Sequence, residues 1–153
     1  MTMKDVLDEL AAARRKMGTA TLPAGEAYTM ELRRRYDAHL DDVWDAITSP
    51  ERLSRWLKPV TGDLRPGAGG VGWDLHLLAL ARFPGDGEVL DHEEFPTSPA
   101  GHEFSRRSAA AWGEAHLAGG GEPDHVAAAV EATTAFYLPT GDASARASGS
   151  TLN

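Results

Sequence analysis

An abrupt join between two unlike segments constrains the fold of this chain most. Alternating apolar and polar residues predict a strand over 28–36, and a shorter strand is predicted over 60–64. The chain then runs through Arg-Pro-Gly-Ala-Gly-Gly at 65–70 directly into a helix predicted over 71–82. An opening of this kind normally begins a sheet of several strands, yet almost no further strand signal follows. We therefore expect a mainly helical chain with at most a small antiparallel sheet, formed by 28–36 and 60–64.

The segment before the first predicted strand carries a helical pattern. Apolar residues from Val6 to Met17 recur at helical spacing, so we expect a first helix that ends near Gly18. Residues 18–25 contain one proline and two glycines, which favours a connector.

The segment between the two predicted strands is expected to be helical. A short helix should end at Pro50, with Val43, Trp44 and Ile47 pointing inward. Pro50 should then open a second helical turn that leads to Trp56, since proline favours the first helical position.

The C-terminal half is predicted to hold two more helices. Residues 83–100 contain three prolines and several acids, which predicts an irregular connector. Helical spacing then marks one helix over about 104–115 and another that begins at Pro123. Residues 139–153 are small and polar, so we expect a disordered tail there. The predicted organisation is a single truncated domain over 1–138 followed by that tail over 139–153.

The charge and the lack of cysteine exclude several classes of function. Lys and Arg number 15 against 23 Asp and Glu, which gives a net charge of −8. Such a chain repels phosphate backbones and anionic lipids, so we expect no nucleic acid and no membrane among its partners. The chain has no cysteine, which excludes disulfides and thiolate metal sites and fits a cytoplasmic protein.

The polar residues form no recognisable catalytic or metal-binding motif. The histidines are His39, His76, His92, His102, His116 and His125. None pairs with a second histidine at helical spacing beside an acid, so we interpret them as solvated or capping groups. Ser105, Ser108 and Thr133 lack a nucleophile elbow and a nearby base. The glycine-rich residues 67–72 resemble a phosphate loop but lack its Lys-Ser/Thr pair. We expect no catalytic residue, no metal and no cofactor.

One stretch carries the pattern of a known family. Residues 36–57 read Tyr-Asp-Ala-His-Leu-Asp-Asp-Val-Trp-Asp-Ala-Ile-Thr-Ser-Pro-Glu-Arg-Leu-Ser-Arg-Trp-Leu. Residues 71–80, 108–116 and 133–137 resemble the long last helix and the C-terminal extension of bacterial members. Together these segments resemble a START-like SRPBCC protein, in the branch named after the activator of the heat-shock-protein-ninety ATPase.

The resemblance implies an α+β helix-grip fold, in which a curved antiparallel sheet grips a long C-terminal helix around a ligand cavity. The strands that the family places between Leu64 and Val71 are missing from this sequence. The predicted fold class is therefore a helix-grip fragment, mostly helical with a reduced antiparallel sheet. We interpret the join at 65–72 as the trace of an internal deletion, and a distinct compact fold is the alternative.

The resemblance also implies a function. We expect a non-catalytic module that binds a hydrophobic small molecule and is degraded by the loss of central strands. In the resembled fold Trp56, Trp73 and Leu77 would form the pocket wall, whereas packing in the core is the alternative role for the tryptophans.

Two other classes of function stay open. One is a protein-interaction or co-chaperone module, as the name of the branch suggests, and the other is an enzyme such as a cyclase or hydrolase. Helices that carry Trp44, Trp73 and Trp112 lack the sheet that would cover them, so a protein partner or self-association is also expected.

Overall fold

The structure is a computed structural model that describes residues 2–57, 68–83 and 89–138 of the chain. In chain order the elements of these residues are α1 (Met3–Ala11), β1 (Arg14–Leu22), β2 (Gly25–Arg33), α2 (Leu40–Thr48), α3 (Pro50–Trp56), α4 (Ala68–Arg82), a 3-10 turn (Phe95–Thr97), α5 (Pro99–Ala118) and α6 (Pro123–Tyr137). The described residues are thus mainly helical with one antiparallel pair of strands, and the predicted α+β class is confirmed. None of their helices has both the length and the apolar character that a bilayer crossing needs.

The two strands form a hairpin that the sequence did not reveal. Arg14 lies opposite Arg33, and the register continues without a break to Leu22 opposite Gly25. Gly25 adopts a φ of 123°, in the region that favours glycine, directly after the turn. The helix expected to reach Gly18 instead ends at Ala11, and the connector expected over 18–25 is wrong. Its proline and its last glycine mark a tight hairpin turn, and the rest of the stretch is strand.

The predicted strand 28–36 is confirmed in part, but its described partner differs from the expected one. It ends at Arg33 and pairs with β1, which precedes it in the chain. The segment 60–64, which we expected to be its partner, lies outside the described residues. The expected tail over 139–153 also lies outside them, so the domain organisation stays a prediction.

The core is built mainly by helices. Side chains from α1, α2, α3, α4, α5 and the segment before α5 pack together; they include Val6, Leu10, Ala46, Trp56, Leu78, Phe83, Phe95 and Phe104. The predicted helix over 71–82 is confirmed as α4, which begins at Ala68. The two C-terminal helices are confirmed as α5 and α6.

The expected inward direction of α2 is wrong for two of its three apolar residues. Trp44 is 64% exposed and Ile47 is 39% exposed, while Ala46 is the buried residue of α2. The expectation assumed that a sheet covers this helix. In the described residues α2 instead packs on α3 through the side that carries Ala46.

A buried carboxylate joins the hairpin to the helices. The side chain of Asp74 in α4 accepts hydrogen bonds from Nε and an NH2 nitrogen of Arg15, at 3.1 and 2.8 Å. The same carboxylate accepts from Ser108 Oγ at 2.5 Å and from Trp112 Nε1 at 3.0 Å. Strand β1 and helices α4 and α5 are therefore held at one point.

Close packing at Gly70 gives a first prediction. A Cβ at this position would lie 2.7 Å from Cδ1 of the buried Trp112 ring. We expect Gly70→Ala to lower the free energy of unfolding by about 1 to 3 kcal/mol, because the ring cannot move without disturbing its bond to Asp74. Chemical denaturation measures the change.

Gly72→Ala is the matched control in the same helix. A Cβ at Gly72 would meet only the Tyr137 hydroxyl, at 3.3 Å. Alanine has a higher helix propensity than glycine at both positions, so this gain is the same in the two variants. Equal stability of the two variants would contradict the close contact between Gly70 and Trp112.

Candidate functional site

The three residues predicted to line a pocket do not share one environment. Trp56 is buried in the core, where its Nε1 donates a hydrogen bond to the Ala46 carbonyl at 2.8 Å. Leu77 is half-buried and packs against the same core. Trp73 is 52% exposed, and its ring centroid lies 6.1 Å from that of His76. The structure thus brings Trp56 and Leu77 to one cluster and places Trp73 at the surface beside it.

A cavity of about 190 Å³ opens on α4 beside Trp73. Its walls come from α4, from the segment that precedes α5 and from the end of α6. The lining residues are Gly72, Leu75, His76, Leu90, His92, Phe95, Pro96 and Tyr137. We call this space the α4 cavity.

His76 supplies an unused hydrogen-bond acceptor in this wall. Its Nδ1 lies 2.7 Å from the Gly72 carbonyl oxygen, one turn earlier in α4. A carbonyl oxygen can only accept, so Nδ1 carries a proton, and in the neutral ring Nε2 holds a lone pair. Nε2 is buried and has no hydrogen-bond partner among the described residues. A buried acceptor that lacks a donor costs free energy, which a ligand with a donor would recover if a small shift of the ring exposed Nε2 to the cavity.

Aromatic groups surround His76. The ring centroid of His92 lies 6.0 Å from that of His76, and Trp73 lies on the helix beside it. Burial raises the pKa of Tyr137, and a backbone hydrogen bond with Gly72 offsets only part of this effect. The Tyr137 phenol is therefore uncharged near neutral pH. The wall of the α4 cavity thus combines aromatic and apolar surface with one unpaired acceptor, Nε2 of His76.

The residues considered as nucleophiles serve the packing of α5 and α6. Ser105, Ser108 and Thr133 are all buried, and the Ser108 hydroxyl donates to the carboxylate of Asp74. That carboxylate is already paired with Arg15. Within residues 2–57, 68–83 and 89–138, no three histidine, aspartate or glutamate side chains come close enough to hold a metal ion.

The α4 cavity as a whole is not predictable from the sequence. The sequence predicts solvated or capping roles for His76 and His92, yet the Nε2 atoms of both are buried. The two residues are separated by the proline-rich segment, whose course is not readable from periodicity. The signal that could have been used is the presence of Leu90, Phe95 and two histidines near the helix that resembles the family's gripped helix.

Comparison with known proteins supports the resemblance. Residues 37–95 match the family model described as "Activator of Hsp90 ATPase homolog 1-like protein". No curated protein and no solved structure matches the chain. The matched segment 37–95 holds α2, α3 and α4.

The matched segment contains most of the cavity wall. Six of the eight lining residues, all except Pro96 and Tyr137, fall within 37–95. The α4 cavity is thus formed mainly by residues of the matched segment 37–95. Helices α5 and α6 follow this segment in the chain.

Proposed function

We propose that this protein is a non-catalytic binding module and that its α4 cavity takes a small apolar molecule with one hydrogen-bond donor. The buried Nε2 of His76, which faces no donor in the described residues, carries the proposal. The apolar and aromatic surface around it would bury the body of the ligand, and Nε2 would accept its donor after a small shift of the imidazole toward the cavity. The absence of cysteine supports a cytoplasmic location.

The size of the cavity limits the ligand. Its volume of about 190 Å³ is below the roughly 300 to 1,000 Å³ that is usual for small-molecule sites. A single substituted aromatic ring is therefore the kind of molecule that we expect to fit.

We attribute this small size to loss of the family's central strands. The family match includes α2, α3 and α4, while the described residues hold only the two strands β1 and β2, which precede the match. A sheet that closed the open side would add wall area, so binding in the present chain should be weak.

Phenol and toluene test the proposal because they have similar shapes but only phenol donates a hydrogen bond. With 5-fluorotryptophan in the chain, the fluorine signal of Trp73 reports on the α4 cavity, since this ring contacts His76. We expect a saturable shift with both probes and an affinity about fivefold higher for phenol, which is one net hydrogen bond. In His76→Phe that preference should disappear.

His116→Phe is the matched control, because His116 is another half-buried histidine and lies in α5, outside the α4 cavity. It should keep the preference for phenol. An equal affinity of the original chain for phenol and toluene, or a preference that survives in His76→Phe, would overturn the assignment of His76.

A second candidate function is protein interaction, and the exposed side of α2 favours it. Leu40, Trp44 and Ile47 are 77%, 64% and 39% exposed and recur at a spacing that places them on one helix face. On α2 the charged Asp42 and Asp45 both bind Arg52 of α3, at 2.8 and 2.7 Å. The apolar stripe lies within 37–95, the segment that matches the model described as "Activator of Hsp90 ATPase homolog 1-like protein".

Purified Hsp90 is the partner with which to test this candidate. We expect the double variant Leu40→Ser, Trp44→Ser to bind Hsp90 at least about tenfold more weakly than the original chain, because an exposed tryptophan at an interface often dominates its energy. Leu117→Ser, which alters an exposed leucine on α5, is the control. Calorimetric titration measures the affinities.

Absence of binding to Hsp90, or equal affinity of all three chains, would contradict the co-chaperone function. Sedimentation of the same samples tests self-association. A dimer that forms in the original chain and not in the double variant would assign the stripe to a second copy of this chain instead.

A further inference from the structure

A second cavity lies between the hairpin and the last two helices, away from the α4 cavity. Its inner part has a volume of about 50 Å³ and its outer part about 400 Å³, and Met17, His116 and His125 line both parts. We call the two parts together the hairpin cavity. None of its lining residues belongs to the segment 37–95, so the family match assigns nothing to it.

The inner part is apolar. Met17 of β1 and Met30 of β2 lie directly opposite each other in the strand register and form one wall. Trp112 of α5 with Val126 and Val130 of α6 form the other. The polar Nε1 of Trp112 already donates to Asp74, so the ring offers only its apolar surface to the cavity. Flexible methionine side chains let such a space adjust to ligands of different shape.

The outer part carries hydrogen-bonding side chains. The His116 ring makes edge contacts with Tyr28 on one side, at 6.4 Å between ring centroids, and with His125 on the other, at 6.2 Å. A neutral imidazole has one donor and one acceptor, so these rings can bind a group of either kind. The amides of the Gly119–Gly121 turn bond to carbonyls at the end of α5 and are not available to a ligand.

The shape of the cavity indicates a linear ligand. Along α5 it extends from Ala109 in the inner part to His116 at the outer part. This is about 10 Å at the rise of an α-helix. A straight alkyl chain is narrower than an aromatic ring and, at medium length, would span this distance with its polar end beside the two imidazoles.

The charge near the opening selects the polar end. Glu122 lines the outer part, where its carboxylate accepts from the His125 amide at 2.9 Å, and the chain as a whole carries −8. A carboxylate or phosphate head group would be repelled by both. We therefore infer that the hairpin cavity binds a linear amphiphile whose head is not anionic, such as a medium-chain alcohol.

1-Octanol is the probe for this inference, with octanoate as the charged counterpart of the same length. In the protein labelled with 5-fluorotryptophan, the Trp112 signal reports on the hairpin cavity and the Trp73 signal on the α4 cavity. We expect 1-octanol to shift the Trp112 signal to saturation and to leave Trp73 unchanged. The result is thus separable from the phenol experiment.

Two alanines of α6 provide a matched pair of variants. Ala129 lines the inner part, whereas Ala128 is exposed and does not line it. Ala129→Leu should weaken 1-octanol binding about tenfold by filling the space. Ala128→Leu should bind as the original chain does, and helical circular dichroism checks that both variants are folded. His116→Phe should weaken binding about fivefold through the lost hydrogen bond.

Three results would overturn the inference. The first is the lack of a saturable Trp112 shift with 1-octanol, and the second is unchanged affinity in Ala129→Leu while Ala128→Leu is also unchanged. The third is tighter binding of octanoate than of 1-octanol, which would contradict the exclusion of an anionic head group.

Discussion

The buried carboxylate of Asp74 is the group on which the packing of the hairpin against the helices depends. It lies in α4 and accepts from Arg15 of β1 and from Ser108 and Trp112 of α5. Arg15 also donates to the carbonyl oxygens of Leu10 and Ala13, at 3.2 and 3.1 Å. The end of α1 is therefore held to the same buried group. An ion pair this deeply buried tolerates the loss of neither partner, because the charge that is left has no water around it.

The direction of the Asp74 side chain also determines on which side of α4 each cavity lies. Gly72 and His76 are each two residues from Asp74, which on an α-helix is about 200° of rotation. When Asp74 points at β1 and α5, these two residues therefore face the opposite side, where the α4 cavity lies. On the first side, the bond from Trp112 to Asp74 fixes the indole that forms a wall of the hairpin cavity. One contact thus fixes the geometry of both proposed sites.

The elements that the sequence predicted well are those with local signals. Periodicity and terminal glycine or proline residues located α4, α5 and α6, and Pro50 located the boundary between α2 and α3. The hairpin was missed because the apolar spacing from Val6 to Met17 imitates a helix, while strand β1 is defined by its pairing with β2. The residues of the candidate sites were only partly predictable, since His76 and His116 acquire their ring partners through tertiary contacts.

A double-mutant cycle between Arg15 and Asp74 tests the central claim most directly. The free energy of unfolding is measured for the original chain, for Arg15→Met, for Asp74→Asn and for the double variant. We predict that each single change costs about 3 kcal/mol or more and that the double change costs little more than either one, because both remove the same buried pair. Single effects below about 1 kcal/mol, or effects that simply add in the double variant, would contradict the role of this pair in holding the hairpin to the helices.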